Sequence, residues 1–362
     1  MEAANLRVRD STRDTRPRLL LPVSGGLSSL ALLHILDGHV SDQVKRTGRP
    51  GFELVVLAVD DGTHEENELN DFIENLKARY TGHKFVLIAL PAPTPNSPDL
   101  ANTDNGAPLN MSNILATLKA PTSHSDIASL ALTHTITQQA QQLHCDFILW
   151  GDSTTRLAEK ILASTALGRG ATLPSLVNDG PAPYSIAGGS SDSTSTSAST
   201  STSFLYPMKD VFRKELLSYA TIISLPPLLP SSNARSNSKA SSAAVVSSKN
   251  ATIDSLMHEY FASVEKDYPS IVANVVRTSS KLQMPSRHSK SDSADVGSRC
   301  ELCGVWVEEG SFGIHGWGGS QGAGKDGDGE EVGGATPPVP TDPMSGRGRR
   351  LCYGCARSTL SV

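Results

Sequence analysis

The sequence predicts an α/β fold, a doubly wound parallel sheet with helices on both faces. Two observations predict it. From Arg18 onwards, short apolar runs of buried-strand length alternate with segments of helical periodicity. A turn with two adjacent glycines, Gly25 and Gly26, joins the first apolar run to the first helical segment. The alternation favours strands that are covered by helices on each side.

The first half of the predicted domain contains three strands and two helices. The runs 19–23, 54–59 and 85–90 are apolar, and the second is rich in β-branched residues, which suits a strand. Between these runs, residues 27–44 repeat apolar side chains on one helical face, and a second helix is predicted around 65–80.

The second half continues the alternation. A long helix is predicted over 125–143, because its apolar residues share one side. The apolar run 147–150 predicts a fourth strand, and a helix follows over 153–167. The later helical segments are 206–224 (a loop and a helix), 253–264 and 269–282, the last of which opens on a proline.

Low-complexity stretches interrupt this pattern. They lower the charged fraction to 19% and the hydrophobic fraction to 38%, both below the averages of globular domains. Ser-rich composition cannot bury enough apolar surface to fold. The predicted organisation is a tail (1–17), an α/β domain (18–285) with disordered insertions (188–203 and 231–250), a linker (286–299) and a small cysteine-containing element (300–357) with a Gly-rich loop (310–350).

Composition excludes several classes of protein. Lys and Arg number 32 and Asp and Glu 37, so the formal net charge of −5 indicates no global attraction to nucleic acid. Five cysteines in 362 residues are too few for a disulfide scaffold. No segment approaches the about 18 apolar residues of a membrane helix, and the N-terminus lacks a signal-peptide layout. We therefore expect a cytoplasmic protein with no membrane partner.

The turn after the first strand is a candidate phosphate-binding loop, made of Ser24, Gly25, Gly26, Ser28 and Ser29. Adjacent glycines allow a tight turn, and the N–H groups and dipole of the following helix favour an anion. The alternative is a purely structural role, an ordinary tight turn capped by a serine. The segment matches neither the Walker A pattern nor the Rossmann Gly-x-Gly-x-x-Gly pattern.

This loop resembles the Ser-Gly-Gly-x-Asp-Ser loop of the PP-loop ATP pyrophosphatases, which have the adenine nucleotide alpha hydrolase-like fold. Further blocks narrow the resemblance to the tRNA thiolase branch and, within it, to the cytoplasmic tRNA 2-thiolation protein 2 family. These blocks are 151–158, the Gly-Arg-Gly turn within 167–170, 207–211, 268–282 and the two Cys-x-x-Cys pairs at 300–303 and 352–355.

The resemblance implies a function in tRNA modification. PP-loop enzymes cleave ATP between its α and β phosphates to adenylate a substrate. In the implied complex, a catalytic thiolase partner adenylates the C2 oxygen of the wobble uridine, and a thiocarboxylated ubiquitin-related carrier, which can also be conjugated to proteins, delivers sulfur. The substrates would be the 5-methoxycarbonylmethyl-uridine tRNAs for Lys, Glu and Gln. This chain would form a heterodimer with the thiolase and contact tRNA.

The chain departs from an active thiolase at residues that carry the chemistry. Ser28 replaces the acidic residue of the phosphate loop, and Thr155 and Arg156 stand where the active partner has adjacent aspartates. Carboxylates are the usual protein ligands of Mg²⁺ on phosphates. The resemblance therefore allows ATP with Mg²⁺ as a ligand without requiring it. The carboxylates that remain nearby are Asp60, Asp61, Asp152 and Glu159.

Sulfur transfer also requires core cysteines, as persulfide carriers or as iron–sulfur ligands. Only Cys145 lies in the predicted α/β core, and a small buried hydrophobe is its expected role. We therefore expect no catalytic residue in this chain, which would act through its partner.

The other four cysteines predict a metal site. Cys300 with Cys303 and Cys352 with Cys355 form two Cys-x-x-Cys pairs, a spacing that lets both sulfurs of a pair face one ion. Structural zinc is the expected occupant; an iron–sulfur cluster, a redox pair or unmetallated thiols are the alternatives. The long separation of the pairs is tolerable because closure entropy grows slowly with loop length.

Basic residues beside the second cysteine pair are the candidate RNA contacts. They are Arg347, Arg349, Arg350 and Arg357, and they could bind tRNA phosphates although the net charge is negative. Two other functions stay open on the sequence. One is an autonomous ATP pyrophosphatase that adenylates RNA or a small molecule, and the other is a zinc-binding adaptor whose α/β domain is a scaffold.

Overall fold

A computed structural model describes residues 16–62, 66–91, 111–183, 202–225, 251–283, 299–307 and 351–359. Within them, the strands are β1 (Arg18–Pro22), β2 (Glu53–Asp60), β3 (Lys84–Ala89), β4 (Phe147–Leu149), β5 (Gly180–Pro181) and β6 (Ser203–Leu205). The α-helices are α1 (Leu27–Thr47), α2 (Glu66–Arg79), α3 (Met111–Thr117), α4 (Pro121–Gln142), α5 (Thr154–Ala166), α6 (Leu173–Val177), α7 (Arg213–Ile223), α8 (Ile253–Asp267), α9 (Pro269–Ser279) and α10 (Tyr353–Thr359).

The six strands form one sheet in the order β3-β2-β1-β4-β6-β5. All neighbouring strands are parallel except β5 and β6. Leu20 in the centre pairs with Val55 on one side and Ile148 on the other. The first three strands lie side by side from the central β1 to the edge strand β3. The later strands β4, β6 and β5 lie on the other side of β1. The predicted parallel sheet is confirmed, and the sequence does not predict the two-residue antiparallel edge strand β5.

Alternate side chains of the central strands enter two cores. Leu19 and Leu21 of β1 pack with α1, α2 and α7, whereas Leu20 packs with α4, α5, α8 and α9 on the opposite face. A strand that is buried on both faces is apolar at every position, which explains the continuous leucine run in the sequence. The helices therefore cover both faces, as the doubly wound prediction requires.

Helix ends differ from the predictions where capping residues decide them. α1 continues to Thr47 and ends at Gly48, which adopts a φ of +73° that favours glycine. α4 begins at Pro121, earlier than the predicted residue 125, because proline is favourable at the first helical position. The sequence does not predict α3 and α10, whose seven residues each carry too little periodicity.

The predicted low-complexity stretches fall almost wholly outside the described residues. Three of the predicted stretches reach into the described residues: the tail at residues 16 and 17, the insertion 188–203 at residues 202 and 203, and the linker at Arg299. Thr202 donates a hydrogen bond to the carbonyl of Cys145 over 3.2 Å, and Ser203 begins β6. The parts that lie outside the description are 1–15, 188–201, 231–250, 286–298 and 310–350.

A third core joins the two cysteine pairs to the helices. Cys300, Cys303 and Cys355 are buried together with Ile114 of α3 and Ile127 of α4. The cysteine-containing element therefore packs on the α4 end of the α/β domain. Among the described helices, none combines the length and the apolar character that crossing a membrane would need.

Candidate functional site

The four cysteines of the two pairs converge on one point. Their sulfur atoms all lie within 4.8 Å of one another, and Sγ of Cys303 is 3.6 Å from Sγ of Cys352. A tetrahedral ion with sulfur ligands at 2.3 Å separates those sulfurs by about 3.8 Å. All four are free thiols, and the amide of Cys352 donates to Sγ of Cys300 over 3.2 Å. This ligand set fits a single metal ion, as the sequence predicts.

Mutual hydrogen bonds perturb the four thiols. Those from Cys303, Cys352 and Cys355 lower the pKa of Cys300. Hydrogen bonds to Cys300, together with burial, raise the pKa of Cys303 and of Cys355 far above the ordinary thiol value. Four thiolates this close repel one another strongly unless a cation lies between them. Cysteine binds a metal ion in its deprotonated thiolate form. The chemistry of the donor set therefore favours a divalent metal.

Arg169 of the predicted Gly-Arg-Gly turn contacts this ligand set. Its Nη1 donates to Sγ of Cys355 over 3.2 Å, while Nε and Nη2 donate to the two carboxylate oxygens of Asp126 over 2.7 and 2.5 Å. Ser358 donates to the same carboxylate over 2.5 Å. The side chains of Arg169 and Asp126 are only 4% and 5% exposed. A buried bidentate ion pair thus binds the second cysteine pair to α4.

Two glycines allow this close packing. Gly168 has a φ of +74°, and a Cβ there would collide with the ring of Tyr353. A Cβ on Gly354 would lie 2.7 Å from Cγ of Arg169 and 3.3 Å from the carbonyl oxygen of Leu167. The Gly-Arg-Gly turn and the start of α10 are therefore complementary surfaces. Two blocks that the sequence presents far apart form one interface.

The glycine loop lies at the carboxyl end of β1, directly before α1. Gly25 adopts a φ of +72°, and Gly26 is the N-cap of α1. The hydroxyl of Ser29 donates to the carbonyl of Gly26 over 3.0 Å and so serves the turn itself. Ser24 is exposed and Ser28 is half-buried, at the surface of the loop. The first turn of α1 has no acidic residue, so an anion would meet no repulsion from that turn.

The loop meets the start of the second predicted block. A Cβ on Gly151 would lie 2.8 Å from the Cα atom of Ser29, so only glycine fits there without a shift. β1 and β4 are adjacent strands at which the winding of the sheet reverses. The carboxyl edge at such a switch point is where ligands bind in open α/β sheets. The candidate phosphate loop is therefore correctly placed for an anionic ligand.

Residues 252–357 match the sequence model of a family described as cytoplasmic tRNA 2-thiolation protein 2. The protein of that name from Phaeosphaeria nodorum is 39% identical over 356 residues, covering 95% of this chain and 82% of the relative. This chain belongs to the cytoplasmic tRNA 2-thiolation protein 2 family. The family member from Pyrenophora tritici-repentis is 36% identical over 359 residues, covering 96% and 83% of the two chains.

The comparison with solved structures gives a match to the U34-tRNA thiolase NcsA from Methanococcus maripaludis with its [4Fe-4S] cluster. It is 16% identical in sequence, with a TM-score of 0.47, and the match covers 82% of each chain.

In this member of the 2-thiolation protein 2 family, the second block holds helices together. The hydroxyl of Thr155 donates to Oε2 of buried Glu265 over 2.9 Å, and Glu265 also accepts from the amide of Lys214 over 3.0 Å. Thr154 donates to the carbonyl of Lys209 over 2.7 Å. Thr155 therefore joins α5 to α8 and, through Glu265, to α7.

Two of the remaining carboxylates form ion pairs in the structure. Asp152 lies 2.6 Å from Nζ of Lys160. Glu159, whose side chain is 4% exposed, lies 2.7 Å from Nη1 of Arg156 and 3.0 Å from Nδ1 of His258. Carboxylates that are matched by such partners are poor ligands for a second cation.

The other two remaining carboxylates follow β2. Oδ1 of Asp60 accepts a hydrogen bond from the amide of Gly62 over 2.9 Å, and both Asp60 and Asp61 lie at the carboxyl edge of the sheet. They share that edge with the glycine loop.

Cys145 lies at the opposite edge of the sheet. It precedes β4, whereas the glycine loop follows β1, and β1 and β4 run parallel. Its side chain is 4% exposed, and burial raises the pKa of its thiol to about 11. A raised pKa favours the protonated thiol at neutral pH, and the prediction of a small buried core residue is confirmed.

Of the four candidate RNA contacts, only Arg357 lies within the described residues. Arg357 lies on α10, where its Nη1 donates to the carbonyl of Ala166 over 3.2 Å, so it also caps the end of α5. The other three, Arg347, Arg349 and Arg350, lie outside the described residues.

The buried partners of these motifs are not evident from the sequence. Asp126 and Ser358 complete the Arg169 contact, and Glu265 completes the Thr155 contact. No spacing rule connects residues that far apart along the chain. The available signal was the arginine between two glycines, since a charged residue in such a tight turn suggests a dedicated partner.

Proposed function

We propose that this chain is a non-catalytic subunit of the cytoplasmic tRNA 2-thiolation complex. It forms a heterodimer with the catalytic thiolase, which takes sulfur from a thiocarboxylated ubiquitin-related carrier. The reaction is 2-thiolation of 5-methoxycarbonylmethyl-uridine at the wobble position of the tRNAs for Lys, Glu and Gln. Conjugation of the carrier to proteins can depend on the same partners.

The observation that carries this proposal is that Thr155 holds helices together through its hydrogen bond with Glu265. The block that would ligate Mg²⁺ in an active thiolase is occupied by a buried Thr155–Glu265 hydrogen bond and by the Arg156–Glu159 ion pair. Within the described residues, the only cysteine of the α/β core lies at the wrong edge of the sheet for the glycine loop. The fold and the glycine loop together with these contacts support a subunit that acts through its partner.

We further propose structural zinc as the metal of the four-cysteine site. Cys300, Cys303, Cys352 and Cys355 would hold it, and a closed Cys₄ set leaves no open position for a substrate. When bound, the ion supplies cross-linking between the two cysteine pairs rather than reaction chemistry. This would fix α10 against α4 and the Gly-Arg-Gly turn.

The placement of the glycine loop favours a second candidate, nucleotide binding with or without hydrolysis. ATP that binds at Ser24–Ser29 without being cleaved would serve assembly with the partner. An autonomous ATP pyrophosphatase instead predicts release of pyrophosphate by the chain alone. A pure adaptor predicts that Gly25→Ala/Gly26→Ala leaves thiolation unchanged while Cys300→Ser abolishes it.

The test is complementation in a fungal strain that lacks its own family member. We expect the full chain to copurify with the catalytic thiolase and to restore wobble 2-thiouridine, measured by mass spectrometry of digested tRNA. Cys300→Ser should reduce the modification, whereas Cys145→Ala, a change at a core cysteine far from the loop, should not. Thiolation of tRNA by the purified single chain with ATP and a sulfur donor would contradict the proposal.

A further inference from the structure

A large groove lies at the amino ends of β1, β2 and β3, at the sheet edge opposite the glycine loop. Its volume is about 890 Å³. We call it the amino-edge groove. It is lined by Arg16, Arg18, Asp37, Val40, Val44, Lys45, Phe52, Glu53, Arg79, His83 and Lys84, among others.

Positive charge is concentrated in this groove. Five cations line it, against two carboxylates, Asp37 and Glu53, in a chain whose net charge is −5. Each carboxylate has a partner within the groove. Asp37 lies 3.0 Å from Nε2 of His83, and Glu53 lies 2.9 Å from Nε of Arg18. After these pairs, and that of Lys45 with Asp42, the positive excess of the groove comes from Arg16, Arg79 and Lys84.

The cations come from separate segments and remain accessible. Arg16 and Lys84 are exposed, and the side chain of Lys45 is 76% exposed, with its Nζ 3.4 Å from Oδ1 of the exposed Asp42. The guanidinium of Arg79 donates to the carbonyls of Ile223 and Ser224, which do not neutralise its charge. A surface of this kind attracts an extended polyanion rather than a single carboxylate.

Favourable interaction with helix dipoles explains only some of the five cations. Lys45 and Arg79 lie in the last turns of α1 and α2, where cations are favourable. Arg16, Arg18 and Lys84 lie before or at the start of strands, where no such dipole exists. The excess charge at the strand ends needs another explanation.

The groove also has apolar lining residues. Val40 and Val44 of α1 and Phe52 are among them, and Val44 is 39% exposed. Apolar side chains among cations fit the sugars and phosphates of a nucleic acid strand better than a bare inorganic anion.

We propose that the amino-edge groove binds the sugar–phosphate backbone of a folded RNA. The inference rests on the proposed function, which makes that RNA a tRNA, and adds a contact surface on the side of the sheet away from the glycine loop. The contact is to phosphates and therefore carries no sequence preference of its own.

The test uses the full chain and a fluorescent tRNA transcript. The groove variant combines Arg16→Glu, Lys45→Glu and Lys84→Glu. The control variant makes the same change of charge at exposed cations of α8, α9 and the residues after α9, with Lys266→Glu, Arg277→Glu and Lys281→Glu. Circular dichroism and thermal unfolding establish that both variants fold.

Fluorescence anisotropy between about 50 and 200 mM salt gives the dissociation constant and its salt dependence. We expect the groove variant to lose affinity by about tenfold or more, with a salt slope reduced by about three, one for each cation removed. The control variant should bind nearly as the parent does. Equal losses in both variants, or no loss in the groove variant, would overturn the inference, as would a parent chain that binds no tRNA.

The complementation assay separates this inference from the proposed function. If the parent chain restores 2-thiouridine while the groove variant binds tRNA normally, only the groove assignment fails. If the groove variant keeps tRNA binding but no longer copurifies with the thiolase, the groove is a protein interface and the RNA assignment is wrong. If the parent chain restores no 2-thiouridine, the proposed function fails.

Discussion

Arg169 donates a hydrogen bond to Sγ of Cys355 from the same guanidinium that pairs with Asp126. A cation of the α/β domain thus touches a sulfur of the candidate metal site, 186 residues away in sequence. A metal held by four thiolates carries a net negative charge, which such a donor stabilises. Metal binding and packing of the C-terminal element are therefore expected to depend on each other.

Replacing Arg169 by Met should separate these two effects. The change leaves the carboxylate of Asp126 buried without its cation, with only Ser358 as a side-chain donor, so the free energy of unfolding should fall by about 3–5 kcal/mol. Metal affinity should fall by about 10- to 100-fold, measured by chelator competition. Arg169→Met combined with Asp126→Leu should recover much of the stability and none of the affinity. An affinity unchanged in both variants would show that the Arg169–Cys355 contact is irrelevant to the metal.

Metal removal should loosen the C-terminal element. We expect the purified chain to carry about one zinc ion, and chelation to lower its melting temperature, because the ion crosslinks two segments. Cys300→Ser should lose the metal, while Cys145→Ala should keep it. Metal analysis together with thermal unfolding makes the comparison, and a stoichiometry well below one would count against the site.

Glycine substitutions test the two close approaches. Gly151→Ala and Gly354→Ala should each destabilise the chain by about 1–3 kcal/mol, because the new Cβ meets backbone or the stem of Arg169. Gly38 lies within α1 with nothing within 4 Å of a Cβ, so Gly38→Ala should stabilise by about 0.5–1 kcal/mol. Urea unfolding measures all three. Equal effects at the three positions would contradict the described packing.

Restoring a carboxylate at position 155 should be harmful. Thr155→Asp places a second carboxylate beside Glu265, in a buried site, and should cost about 3 kcal/mol or more. Adding Glu265→Gln should recover part of the loss, since it removes the repulsion, and Thr155→Ser should be nearly neutral. Chemical unfolding of the parent, of Thr155→Asp and Glu265→Gln alone, and of the double variant gives the coupling energy. Additive effects of the Asp and Gln changes would refute the direct contact.

Cys145 should make stability depend on pH in the alkaline range. Burial raises the pKa of its thiol from 9.0 to about 11, so above pH 9 the unfolded chain loses this proton before the folded chain does. Its contribution is therefore complete below pH 9 and is lost as the pH rises towards 11. The difference in free energy of unfolding between the parent and Cys145→Ala should shrink by about 2–3 kcal/mol over that range. A constant difference would place the thiol in contact with water.

The sequence predicts the centre of the fold better than its edges. Leu19, Leu20 and Leu21 form a run whose continuous apolarity indicates burial on both faces, and that is where they lie. The edge strand β5 has only two residues, and its partner β6 follows a Ser-rich stretch, so neither carries a readable period. Short edge strands form because a neighbour offers hydrogen bonds, which local sequence does not record.

For the candidate site too, the sequence predicts local features but not contacts between distant segments. The spacing within each cysteine pair predicts a shared metal site, because the pair is local. The contacts of Arg169 with Asp126 and of Thr155 with Glu265 depend on how distant helices pack, and no periodicity reports that. The resemblance marks Thr155 and Arg156 as departures from an active thiolase, whereas the contacts of Thr155 could not be predicted from the sequence.

Helix α5 spans the distance between the two candidate sites. Its 13 residues extend over about 20 Å, from the Gly151 contact with the glycine loop to the Gly168–Arg169 turn on the cysteine pairs. Adding one residue to it would rotate one end by about 100° and advance it by about 1.5 Å. Both ends could not then keep their contacts. The contacts at both ends of α5 thus fix its length. Insertion of a residue into this helix should not be tolerated.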